Sequence, residues 1–157
     1  MSLRSGIGFL MREIIMIEDV TSADFAELLA VWEDSVRATH DFITEIDIAE
    51  FKPMIIEHAF PAVTLKCVKD DHKSILGFIG VADNKVEMLF VLNKCRGQGI
   101  GRQLLTFAIN KLQAIRVDVN EQNPLAVEFY KHMGFEVTSR SPVDDMGKPF
   151  PILHMSL

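Results

Sequence analysis

Residues 96–102, Arg96-Gly97-Gln98-Gly99-Ile100-Gly101-Arg102, set three alternating glycines between an apolar run, Met88-Leu89-Phe90-Val91-Leu92, and an amphipathic one. A strand that turns into a helix through such a loop presents backbone N–H groups at the positive end of the helix. Missing Cβ atoms let an anionic group approach them, and a pyrophosphate suits the site. Arg96 and Arg102 add positive charge. The spacing is not the dinucleotide fingerprint G-x-G-x-x-G, because the sixth position counted from Gly97 is Arg102. No G-x-x-x-x-G-K-[ST] run occurs either. A tight connection whose glycines serve packing alone stays open on this stretch by itself.

The elements around the loop follow from hydrophobic periodicity. Ile14–Ile17 has β character. Thr21 with Asp24 forms a cap-like pair, and Phe25, Leu28, Leu29, Trp32 and Val36 mark one helix face. A second helix is expected at about Ile48–Ala59, disturbed by Pro53. Ala62–Lys69, Ile75–Ala82 and Lys85–Leu92 read as strands of an antiparallel meander, separated by Asp70-Asp71-His72 and Asp83-Asn84. Ile100, Leu104, Leu105, Ala108, Ile109 and Leu112 stripe the helix after the glycines, and Ile115–Val119 is the next strand. Asn123 caps and Pro124 opens a last helix, with Ala126, Phe129, Tyr130 and Met133 inward and Gly134 as its left-handed terminus. Phe135–Ser139 and Ile152–Leu157 form a closing hairpin. This is one α/β domain, with antiparallel strands early and a strand–helix–strand–helix unit late.

Composition narrows the function classes. The 157 residues are 48% hydrophobic and 24% charged, with a net charge of −6 and no basic cluster. Nucleic-acid binding is therefore not expected. Cys67 and Cys95 are the two cysteines and form no CxxC pair, which suits a reducing cytoplasm. The apolar run Ile7–Met11 is too short to span a bilayer and lacks a small-residue cleavage site, so neither membrane insertion nor export is expected. Residues 1–12 read as a tag or upstream extension, and 13–157 as the domain. Asp144 and Asp145 do not match a calcium loop and are expected to turn the chain or face a cationic acceptor. No metal is expected.

Arg-Gly-Gln-Gly-Ile-Gly after an apolar strand resembles the acetyl-CoA pyrophosphate loop of the GNAT superfamily of N-acetyltransferases. Downstream, NPLAVEFYKHMGF (123–135) is similar to that family's N-x-x-A-x-x-F-Y-x-x-x-G-F helix. The resemblance covers about Ile14–Leu157, and WEDSVRATHDF, DVNEQN and SPVDDMGKPFP resemble a bacterial YjaB-like subgroup. Asn93 departs from the proline that many members carry there, which should alter the strand exit.

The resemblance implies a mixed, mostly antiparallel sheet with splayed central strands and flanking helices. It implies acetyl-CoA as cosubstrate and direct attack by a primary amine in a ternary complex. The loop Arg96, Gly97, Gln98, Gly99, Ile100, Gly101 and Arg102 would hold the pyrophosphate. Backbone groups of Phe90 and Val91 would pair with the pantetheine arm, and the amide near Val91 would polarise the thioester. Asn123 would contact the arm as well as cap its helix. Tyr130, the single tyrosine, would protonate the departing thiolate; as a residue alone it reads as core. Glu87 and Asp118, on neighbouring strands, are candidate bases. His40 and Asp41 are expected to shape the acceptor site. Cys95 lacks an obvious activating partner, so no acyl-cysteine is expected. The acceptor stays open between a small-molecule amine, a protein lysine and a protein N-terminus, and a homodimer is allowed. A module that binds acyl-CoA without turnover is the alternative from another class.

Overall fold

A computed structural model describes residues 16–157. The first strand, β1, spans Ile17–Asp19 and shares Ile17 with the expected run; Ile14, Ile15 and residues 1–12 lie outside the described residues. A 3₁₀ turn, Ser22–Asp24, leads into α1 (Phe25–Thr39), and the Thr21 amide donates to the Asp24 carboxylate at 3.0 Å.

The second helix, α2, is Glu45–Met54, earlier than the periodicity from Ile48 suggested. Its start is a capping box that the sequence reading missed: the Asp47 amide donates to Thr44 Oγ1 and the Thr44 amide to the Asp47 carboxylate. Pro53 sits in its last turn, and the chain then widens through a π turn, Ile55–Ala59, and a 3₁₀ turn, Phe60–Ala62.

Strands β2 (Thr64–Lys69), β3 (Ile75–Ala82) and β4 (Lys85–Val91) form the expected meander. Asp83 and Asn84 both have positive φ, the two-residue hairpin geometry that matches strand twist. Helix α3 (Ile100–Lys111) then crosses over, so β5 (Arg116–Asn120) lies parallel to β4. After α4 (Pro124–His132), β6 (Glu136–Ser141) and β7 (Ile152–Ser156) pair antiparallel. The seven strands run in the order β1-β2-β3-β4-β5-β7-β6, with β7 inserted beside β5.

Each sheet face carries a core. Leu104, Leu105 and Ala108 of α3 and Val127 and Tyr130 of α4 pack on one side with Val117, Val119 and Met155. Leu28, Trp32 and Val36 of α1 pack on the other with Ile48, Phe60 and Phe78. Val127 is buried and Ala126, Phe129 and Met133 are half-buried, which turns the α4 inner face slightly from the expected one.

The feature that positions the site lies between β4 and β5. These strands pair only at Lys85↔Arg116 and Val86↔Val117 and then diverge. At the same level Gly80 pairs with Met88 and Val81 with Val86, so Glu87 is the extra residue of a bulge in β4. The sheet thus opens into a wedge whose two sides are Met88–Val91 and Asp118–Asn120.

Candidate active site

Gly97 (φ 79°) and Gly99 (φ 85°) both adopt the left-handed conformation that favours glycine, and Gly99 is the N-cap of α3. The first turn of α3 holds no acidic residue, and its first full helical bond runs from the Gln103 amide to the Gly99 carbonyl at 2.9 Å. The amides of Ile100, Gly101 and Arg102 therefore lack intrahelical acceptors and are free for an anion. They border a cavity of about 330 Å³ that also takes in Arg96, Phe90, Val91, Asn123 and Tyr130. Gln98 is exposed and outside its lining. A Cβ on Gly101 would meet Phe129 and Val91 at 3.7–3.9 Å, an ordinary contact.

The strand edge is selective. The Leu92 amide donates to the Leu76 carbonyl at 2.9 Å, which makes Leu76–Leu92 a hydrogen-bonded pair of the β3–β4 ladder. By alternation Phe78–Phe90 is the next such pair, while the backbone groups of Leu89 and Val91 face the wedge. The Val91 main chain thus faces the open wedge. Phe90 differs: its main chain pairs with Phe78, although the residue borders the cavity. At the strand exit, the Asn93 amide donates to the Asp34 carboxylate at 2.7 Å, a bond that proline at that position could not make.

On the far side stands α4. Asn123 is buried, and its Oδ1 accepts from the Ala126 amide at 3.3 Å as the N-cap. Tyr130, only 6% exposed, packs edge-on against Phe129 and Phe135. Among the described residues its hydroxyl has no hydrogen-bond partner, yet no polar side-chain atom is both fully buried and unpartnered. The hydroxyl therefore opens into a cavity, and burial raises its pKa, so it keeps its proton at neutral pH.

A second cavity, about 190 Å³, adjoins the first and is bordered by Glu87, Asp118, Asn120, His40 and Tyr130. The two candidate bases differ there. Glu87 is exposed, 3.4 Å from the Lys85 ammonium. Asp118 receives Lys85 Nζ at 2.8 Å on one oxygen and His154 Nδ1 at 2.7 Å on the other. Burial works against its charge, but those two hydrogen bonds prevail and hold it below the usual carboxylate range. His154 Nε2 meets Ser141 Oγ at 2.7 Å, which extends the chain across β7 to β6.

His40 follows α1 and borders both cavities. Burial pushes its pKa down to about 4, with Asp41 opposing. Its ring packs on Phe42 (5.2 Å between centroids), which packs on Phe150 of the β6–β7 loop (5.5 Å). Asp144 folds that loop by accepting from the Met146 and Lys148 amides, which is the chain-turning role expected of it. Lys148 clips it to Glu50 of α2.

The His40 shift has a measurable consequence. Between about pH 6.5 and 4 the unfolded chain binds a proton at this residue that the folded chain does not. Stability therefore falls as pH falls through that window, by an amount of order 2–3 kcal/mol. The melting temperature of the wild type should drop more between pH 7 and 5 than that of His40→Gln. Parallel curves would place the ring in a solvated environment.

Of the residues named from the sequence, the structure brings the loop (Gln98 excepted), Val91, Asn123 and Tyr130 to one cavity. Sequence reading missed Ser35, Thr39, Leu89 and Phe129 as cavity residues. Ser35 offered a signal, a polar residue within one turn of the apolar positions Trp32 and Val36. Among the described residues, no group of three or more His, Cys, Asp or Glu is placed to hold a metal ion, and no helix is long and apolar enough to cross a membrane.

Comparison with known proteins sets this geometry among relatives. A family model described as an acetyltransferase (GNAT) domain matches residues 36–156. The chain is similar to the peptidyl-lysine N-acetyltransferase YjaB of Salmonella typhimurium, 40% identical over 129 residues, or 82% of this chain and 88% of that one. It is similar in structure to the apo form of YjaB from Escherichia coli, with a TM-score of 0.82 at 35% identity over 91% of this chain and 97% of the other. PaiA N-acetyltransferase from Thermoplasma acidophilum, solved in complex with coenzyme A, shares the fold at 21% identity and a TM-score of 0.68, over 90% of this chain and 98% of that one.

Proposed function

The chain belongs to the GNAT family of acetyltransferases and is an acetyl-CoA-dependent N-acetyltransferase; we propose that its acceptor is the side-chain amine of a lysine in a protein. The reading is carried by the wedge between β4 and β5, where two cavities meet at Tyr130. Acetyl-CoA lies in the larger one, its pyrophosphate on the α3 amides and its arm along Val91. The amine enters by the smaller one and attacks the thioester carbonyl directly. The Val91 amide polarises that carbonyl, and Tyr130 protonates the thiolate as it leaves. Lysine is supported by the names of the relatives and by a smaller cavity that carries a carboxylate, Glu87, on its border.

Glu87 is the base in this reading, taking the amine's proton directly or through water. Asp118 is already engaged by two donors and serves to hold Lys85 and His154. Glu87→Gln should lower kcat by about 100-fold or more with the melting temperature held. Asp118→Asn should mainly lower the melting temperature, because it weakens two charge-assisted bonds. The reverse pattern would make Asp118 the base. A panel of a lysine peptide, its Nε-blocked counterpart with a free N-terminus, and a polyamine tests the acceptor by thiol release. Turnover of the lysine peptide alone is expected, and preference for either other amine would contradict the assignment.

A further inference from the structure

The bonds around His40 fix which of its nitrogens carries hydrogen. Thr39 Oγ1 donates to the Ser35 carbonyl at 2.8 Å and so has used its single hydrogen. The 2.7 Å contact between Thr39 Oγ1 and His40 Nδ1 therefore runs from Nδ1–H to the hydroxyl oxygen. Nε2 is then the bare nitrogen of a neutral ring, and burial keeps that ring neutral at physiological pH. Its neighbour agrees. Asn123 Oδ1 is occupied by the Ala126 amide, so Nδ2 faces Nε2, at 3.3 Å. That bond is long, and Nδ2 can give it up for the coenzyme arm, which frees the Nε2 lone pair.

The place of this lone pair matters. His40, Leu89, Phe90, Asn123, Ala126 and Tyr130 border both cavities and so mark where acetyl group and amine meet. An attacking amine must aim its lone pair at the thioester, which requires its N–H bonds to be held from another direction. Among those six side chains, Asn123 Oδ1 is fixed as the cap of α4 and the Tyr130 hydroxyl is needed as a donor. That leaves Nε2 of His40, whose single lone pair an amine N–H can take over from Asn123 Nδ2. We propose that this nitrogen accepts a hydrogen bond from the acceptor amine and aligns it for attack. The role is orientation, not proton removal: an imidazole with a pKa near 4 lies about six pK units below a lysine ammonium and could not keep its proton. It also brings no positive charge to a mouth that must admit an ammonium. Thr39 and Ser35, which the sequence reading left out of the site, become the groups that hold the tautomer.

The proposal rests on the acetyl-transfer reading above, and its test separates the two. His40→Leu keeps bulk and removes both nitrogens; His40→Gln offers an amide oxygen where Nε2 stood. In the leucine variant kcat/KM for the lysine peptide should fall about 10–100-fold, with the dissociation constant for acetyl-CoA within about threefold of wild type. The glutamine variant should recover at least part of the loss. Long-range ¹⁵N–¹H spectra of the wild type should show Nδ1 protonated and Nε2 bare from pH 6 to 8. A ring protonated at Nε2, or a His40→Leu protein with full kcat/KM, would overturn the role of His40 alone. A wild type that releases no thiol contradicts the acetyl-transfer reading instead, whatever the spectrum shows.

Discussion

Tyr130→Phe should lose about 10²–10⁴ in kcat, or roughly 3–5 kcal/mol of barrier, and almost nothing else. The phenol stands where the two cavities join and, among the described residues, has no hydrogen-bond partner. Removing it therefore orphans no donor or acceptor in the protein. The ring stays, and with it the edge-on contacts to Phe129 at 5.1 Å and Phe135 at 5.7 Å between centroids. The melting temperature should hold, and acetyl-CoA should bind within about threefold, because the contact matters in the transition state. A purely structural tyrosine predicts the opposite pairing, a lower melting temperature with turnover intact. Measuring both on one preparation decides the matter.

The second large effect belongs to the α3 N-terminus. Gly101→Asp should weaken coenzyme A binding by about 10–100-fold, the size of a like-charge contact of roughly 1.4–2.8 kcal/mol. Gly101 is a better probe than Gly97 or Gly99, where positive φ would strain any side chain. A Cβ at Gly101 meets only ordinary contacts, and a carboxylate in the first turn of a helix favours the fold. Stability and affinity should thus move apart, and Gly101→Ala should bind within a few-fold of wild type. Dephospho-coenzyme A should still bind, since the loop addresses the pyrophosphate. Unchanged affinity in a folded Gly101→Asp protein would show that the pyrophosphate lies elsewhere.

What was legible in the sequence was local. Asp83-Asn84 specifies a two-residue hairpin by the conformations those residues tolerate, and Asn123-Pro124 specifies a helix start by cap and missing N–H. The glycine loop and α4 could therefore be placed without tertiary knowledge. The Thr44–Asp47 box was equally local, but apolar spacing from Ile48 drew the boundary inward. The rest depends on register and long-range contact. The bulge that presents Glu87 exists only relative to β3, and Val91 is distinguished from Phe90 only by which strand their amides face. The Asp118 carboxylate is engaged by Lys85 and His154, 33 and 36 residues away in sequence. His40 meets Asn123 across 83 residues. Thr39 and His40 at the end of α1 carry no periodic signal, and the cavity gives them their meaning.

The most direct test follows the acetyl group itself. Cys95 borders the larger cavity, so transfer through an acyl-cysteine would leave its mark on the protein. Purified protein is mixed with isotopically labelled acetyl-CoA, with and without a lysine peptide, and protein and peptide are weighed by intact-mass spectrometry. Direct attack in a ternary complex predicts unmodified protein in both mixtures and label on the lysine side chain of the peptide. Label on Cys95 in the mixture without peptide, or a peptide that gains none, would contradict it.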